Sequence, residues 1–252
     1  MRELPDNPSW LLRKAVEACN QRRYRRAKWL SRIQLLLKPN DYWTLSCYAN
    51  STYFCSKWTA FCPAGTAGDR RACSYYQKAI RIKPDEALAH MGLGRIHYSN
   101  CLRIEKEWDI FPEGRELAFA YEKDPDEPDS DSSNLVSLLS EADQRCANRK
   151  VAIKELERGA SLTGDLEDKV GCLTMAAEMR CRLSNADGIS AFRATIRLAP
   201  EHLPSHFHLG CLYAAAGKLE DALTELDFVK ANSPELADKM TSEMKRLGVS
   251  CG

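Results

Sequence analysis

Residues 203 to 234 read LPSHFHLGCLYAAAGKLEDALTELDFVKANSP. Leu209, Gly210 and Tyr213 share one face of a first helix, and Ala222, Leu226 and Val229 form the facing stripe of a second. The small residues Gly210 and Ala222 let the two helices approach closely. Gly217 permits the turn between them, because a residue without Cβ enters left-handed backbone at little steric cost. Pro234 ends the second helix, since it has no amide hydrogen with which to extend the ladder. The stretch therefore predicts helix, tight turn, helix, closed by proline.

The same unit recurs along the chain. One copy upstream, Met175, Ala176, Met179, Gly188, Phe192 and Pro200 fall at the same offsets, with Ser184-Asn185-Ala186-Asp187 as the turn. Before that, Val136, Leu139, Ser140, Ala152, Leu156 and Leu162 form a degenerate copy in which Gly164 replaces the closing proline. In the N-terminal half, His90, Leu93, Gly94 and His97 open a copy that Leu117, Ala120 and Pro125 close. Ala72, Tyr76, Ala79 and Pro84 close the copy before it, and Leu11, Ala15, Ala18, Ala27 and Pro39 mark the first.

A helix–turn–helix unit of about 34 residues with these small and aromatic positions resembles the tetratricopeptide repeat family. The resemblance covers nearly the whole chain and is most specific in the last copy and between Tyr75 and Gly94. It implies an all-α, right-handed superhelical solenoid of about six repeats. The segment Glu235–Leu247, with Leu236, Met240, Met244 and Leu247 at helical spacing, is then the capping helix that covers the end of the stack.

The copies fall into an N-terminal array over 1–126 and a C-terminal array over 135–252, divided by a linker over 127–134. That division follows from the run Asp124 to Ser133, which has two prolines, dense acid and no apolar residue, and so predicts a loop. The second and third copies are too long. Their inserts include Lys57 to Gly65 and Arg103 to Pro112, each with a Trp and a Phe. Insertions in a solenoid map to one edge, so Trp58, Phe61, Trp108 and Phe111 are expected as neighbours. They form either an exposed interface ledge or an edge folded back on its own helices.

Composition narrows the function. The 252 residues carry a formal net charge of +1, so no global field draws the chain to nucleic acid or membrane. No run approaches the roughly 18 apolar residues of a membrane span, and the segment Met1 to Asp6 lacks the apolar core of a signal peptide. The expected location is therefore the cytoplasm, with the nucleus as the alternative. The 11 cysteines include no C-x-x-C pair, and Cys55, Cys62 and Cys73 lack zinc-site spacing and a nearby histidine. They read as small apolar packing residues, and neither a metal nor a cofactor is expected. His90 and His206 hold the same repeat position, which reads as packing, and no carboxylate sits between His90 and His97 as in H-E-x-x-H. With no Gly-rich phosphate loop or nucleophile elbow, no catalysis is expected.

In the tetratricopeptide family the first helices line a concave groove. Carried over position by position, the resemblance implies groove residues Leu88, Met91, Arg95 and Tyr98 in the third copy, Leu173 and Arg180 in the fifth, and Phe207 and Cys211 in the last. This groove is mostly apolar with isolated arginines, suited to an amphipathic or extended partner segment; some of these residues instead pack on the next repeat in the alternative reading. The Lys/Asn carboxylate clamp for Hsp70 or Hsp90 tails is absent. The first copy adds a basic stripe, Arg22, Arg23, Arg25 and Arg26, interleaved with Tyr24 and Trp29; on a helix, Arg22, Arg25, Arg26 and Trp29 share a face. It suits an acidic partner or, less well given the charge balance, nucleic acid. The expected function is a protein–protein scaffold that binds a partner segment in the groove. The alternative is a self-associating structural subunit of a larger assembly, since Tyr24 to Leu30 followed by Asp41-Tyr42-Trp43 is faintly similar to the N-terminal repeats of tetratricopeptide subunits of the anaphase-promoting complex.

Overall fold

A computed structural model describes residues 7–57, 67–110 and 131–247, with the backbone alone described for 56, 57, 67, 103–110 and 131–146. Every regular element among these residues is an α-helix: α1 (Trp10–Asn20), α2 (Tyr24–Leu37), α3 (Tyr42–Lys57), α4 (Ala67–Ile82), α5 (Ala87–Ile110), α6 (Asp131–Leu162), α7 (Leu166–Cys181), α8 (Asn185–Leu198), α9 (Leu203–Ala215), α10 (Leu219–Asn232) and α11 (Pro234–Arg246). Helices adjacent in sequence pack on one another from α1 to α5 and from α7 to α11, and the expectation of an all-α repeat solenoid holds. The chain divides into two compact units, Met1–Ala152 and Ile153–Gly252.

In the N-terminal unit, α1 and α2 form the first repeat and α3 and α4 the second. Leu12, Ala15, Val16, Ala27, Leu30 and Cys47 make the core between α1, α2 and α3. Tyr42, Leu45, Ala72, Tyr76, Ala79, Leu93 and Ile96 make the core between α3, α4 and α5. Alanines at 15, 27, 72 and 79 have no exposed surface, so the hairpins close through small side chains. Repeats are also joined by polar bonds. The Tyr42 hydroxyl, at the start of α3, accepts from the Ala89 amide of α5 at 3.1 Å. Burial pushes its ionisation up to about 12.

In the C-terminal unit, α7 pairs with α8 and α9 with α10, and α11 lies against both α9 and α10. Phe192, Leu209, Tyr213, Ala222, Leu226, Val229, Met240 and Met244 form one core, so the expected capping helix does cover the last hairpin through Met240 and Met244. Serine and aspartate side chains start several helices by accepting an otherwise unpaired amide. Ser9 accepts from Leu12, Asp165 from Asp168, and Ser184 from Asp187. Gly217 makes the α9–α10 turn at φ 72°.

Three local expectations change. The fourth copy is not helix, turn, helix: α6 runs unbroken over 32 residues. Residues 131 to 158 contain neither Gly nor Pro, so nothing in them stops a helix once started. The last four residues of the expected linker are not loop, since Asp131 to Asn134 form the first turn of α6. The excess length of the third copy is taken up in part by helix, because α5 continues through Arg103 to Ile110.

Candidate functional site

The first helices present the expected groove residues very unequally. In the N-terminal unit Arg95 is exposed, Leu88 and Tyr98 are half-buried, and Leu88 packs on the core of the second repeat. Met91 is only 6% exposed, so it is a core residue with no surface to offer a partner. The family position alone points it into the groove; the packing of α5 on its neighbours encloses it.

In the C-terminal unit, Leu173 and Phe207 hold the same position in successive repeats, and both are half-buried. Leu173 and Arg180 line a cleft of about 350 Å³ together with Glu157 and Asp187. Arg180 already has a carboxylate: its Nη2 lies 2.6 Å from Glu157 Oε1, and its Nε donates to the same oxygen at 2.8 Å. Phe207 and Cys211 rest against the core that α11 completes. Burial there pushes the Cys211 thiol up to about 11, which keeps it protonated and unreactive.

The basic stripe is exposed but is not one helical face. Arg22 sits in the α1–α2 turn at φ 58°, and Arg23 precedes the helix. Only Arg25 and Arg26 lie on α2. Their neighbour Glu17 is held below the usual carboxylate range, chiefly by a hydrogen bond from Lys14, with Arg26 and Arg23 adding to it. Tyr24 is occupied, stacked on Phe54 with ring centroids 4.7 Å apart, whereas Trp29 is 62% exposed. Of the aromatic edge, Trp58, Phe61 and Phe111 lie outside the described residues, as does the Trp108 side chain; Trp108 is on the α5 backbone.

Three histidines bond to other helices or turns of the fold, through partners that were not foreseeable from position alone. His90 Nε2 donates to the Pro84 carbonyl at 2.9 Å, and His206 Nε2 donates to the Pro200 carbonyl at 2.8 Å. Each ties the opening helix of a repeat to the proline that closes the repeat before. His206 Nδ1 also meets Glu225 at 2.6 Å, and its ring stacks on Phe228 at 4.0 Å. His97 bonds Asn148 at 3.0 Å. Among the described residues no group of His, Cys, Asp and Glu is placed to hold a metal ion. None of their helices is long and apolar enough to cross a membrane.

Sequence reading also passed over exposed Trp10 and Leu36, and a cleft of about 720 Å³ between α2, α3 and α4. A usable signal was present in the spacing of charged and aromatic residues along α4, but the repeat pattern accounts only for the buried face of that helix.

No family model matches the sequence, and no curated protein matches it. Solved structures do. YrrB, described as a TPR protein with an unusual peptide-binding site, is 16% identical with a TM-score of 0.57, over 92% of this chain and 90% of that one. MamA is 11% identical with a TM-score of 0.55, over 96% of each chain. TTC0263, a thermophilic TPR protein of Thermus thermophilus, is 14% identical with a TM-score of 0.52, over 93% of this chain and 97% of that one. Matches that span both chains almost end to end, together with proline-closed hairpins read independently from the sequence, establish that this chain has the fold of a tetratricopeptide repeat solenoid.

Proposed function

We propose that the protein is a protein–protein docking scaffold that holds a partner segment along the first helices of its repeats. One observation carries this reading. Leu173 and Phe207, at the same position of consecutive repeats, both keep part of an apolar side chain accessible, and a ladder of such residues suits the apolar face of a peptide. In the N-terminal unit the residue at that position, Met91, is buried, and the first-helix surface is supplied instead by Leu88, Tyr98 and the exposed Arg95. The peptide-binding site of YrrB, a chain of the same fold, supports it further. The Arg180–Glu157 pair then acts as a gatekeeper, because an acidic partner residue reaches Arg180 only by displacing Glu157.

The test is capture from the protein's own lysate with wild type and Leu173→Glu, each checked for unchanged helicity. The reading expects a defined polypeptide retained by wild type and depleted about tenfold by the variant. Equal retention by both proteins overturns the groove assignment.

A further inference from the structure

The cleft between α2, α3 and α4 is a second surface, separate from the first-helix groove. Its floor is apolar, with Leu45, Tyr48 and Tyr75. Its rim carries Arg32, Arg71, Lys78 and Arg81, and no carboxylate lines it. Arg32, Arg71 and Arg81 have no side-chain partner among the described residues. Two helices write the same pattern toward solvent. Arg25, Trp29, Arg32 and Leu36 follow one another along α2, and Arg71, Tyr75, Lys78 and Ile82 follow along α4, in each case about one residue per helical turn. Trp29, Leu36 and Ile82 are 62%, 80% and 41% exposed. Exposed apolar groups rimmed by charge mark an interaction surface.

The C-terminal unit holds an internal control. A cleft of about 540 Å³ opens there between α8, α9 and α10, with Arg193 and Arg197 among its lining residues. Counted back from the closing prolines, Arg193 and Ile196 stand where Arg32 and Leu35 stand, but Asp221 and Glu225 replace Arg71 and Tyr75. One cleft balances its arginines with carboxylates of its own; the other leaves like charges gathered over an apolar floor, an arrangement that repels itself and favours an anionic ligand.

We propose that the α2–α4 cleft docks an acidic, amphipathic polypeptide segment of a partner protein. Its carboxylates meet Arg32, Arg71, Lys78 and Arg81, and an apolar side chain enters against Tyr48 and Tyr75. Nucleic acid fits less well. The Tyr75 ring packs against Tyr48 in a T-shaped contact at 4.7 Å and has the Lys78 ammonium over it at 5.1 Å, so it is already partnered for stacking and favours contact with a small apolar side chain over a base. The chain's own acidic run, Asp124 to Asp131, has charge but no apolar residue, so by composition it lacks the group that an apolar floor calls for.

The probe is a fluorescein-labelled peptide of repeated Asp-Leu-Asp-Phe units, titrated by anisotropy against the full chain. The control probes are the Asn-Leu-Asn-Phe and Asp-Gly-Asp-Gly peptides and an oligothymidylate. Saturable binding of the first probe, at least about tenfold tighter than any control, is expected. The double variant Arg32→Glu/Arg71→Glu loses it, Leu36→Ser weakens it, and Arg193→Glu/Arg197→Glu leaves it intact, with helicity unchanged throughout. Preference for the oligothymidylate or equal affinity for the Asp-Gly peptide overturns the proposal, as does binding unaltered in the double variant. A concentration-dependent dimer that excludes the probe and is abolished by the same double variant assigns the cleft to a second copy instead, and also overturns it.

Discussion

The turn from α1 to α2 and the turn from α9 to α10 stand the same distance before their closing prolines, Pro39 and Pro234. Both need left-handed backbone, yet one holds Arg22 at φ 58° and the other Gly217 at φ 72°. The clefts of the two units differ in the same manner, with Arg71 in one where Asp221 stands in the other. The hairpin dictates backbone geometry and the buried small residues. It leaves the exposed positions free, so equivalent sites in two repeats carry opposite charge or different strain. Function is therefore to be sought where the units diverge, since their shared features are what any such repeat needs in order to fold.

Close helix contacts give the largest expected contrast. A Cβ added at Gly92 would fall within the Tyr76 ring, which is fully enclosed in the core of the second repeat. A Cβ at Gly210 would meet the end of the Met240 side chain and Glu225 Cβ. A thioether end swings aside and an enclosed ring does not. Gly92→Ala is expected to cost about 3 kcal/mol and Gly210→Ala about 1 kcal/mol, read as shifts of urea midpoints by circular dichroism. Equal losses, or the reverse order, would mean that the two hairpins are packed with the same tolerance.

The proline-bound histidines sharpen the comparison at intermediate size. Both donate to the carbonyl of a closing proline, Pro84 for His90 and Pro200 for His206. His206 adds the Glu225 carboxylate and the stacked Phe228 ring to that tie. His206→Ala is expected to destabilise by about 2–3 kcal/mol, and His90→Ala by about 1–2 kcal/mol. The same urea series checks both; a His206→Ala variant as stable as wild type would remove the inter-repeat tie from the account.

Helix periodicity and closing prolines made the hairpins legible, because burial of Ala15, Ala72 or Ala222 leaves a sequence trace every turn. The unbroken α6 was less so: a degenerate apolar pattern resembles two helices as well as one, and only the absence of Gly and Pro from 131 to 158 argued for one. Site residues fared worst. Met91 and Arg95 are both first-helix positions of one repeat, and what separates a core residue from an exposed one is the packing of neighbouring helices, which lies far away in sequence. Arg180 was readable as a cation but not as one already engaged by Glu157, 23 residues upstream.

The turns give the smallest effect and the cleanest separation of folding from docking. An Arg in left-handed backbone costs roughly 1–2 kcal/mol relative to its relaxed conformations, and glycine removes that cost while adding some disorder to the unfolded chain. Arg22→Gly is thus expected to stabilise by about 0.5 kcal/mol, and Gly217→Ala to destabilise by about 1 kcal/mol, in thermal melts followed at the helix band. Arg22 does not line the α2–α4 cleft, so the glycine variant should bind the Asp-Leu-Asp-Phe probe as wild type does, apart from a weak long-range charge effect that salt removes. A stabilised variant with unchanged binding places the cost of Arg22 in the fold alone. A stabilised variant that loses the probe would extend the docking surface to the turn, and the left-handed arginine would then be strain held for binding.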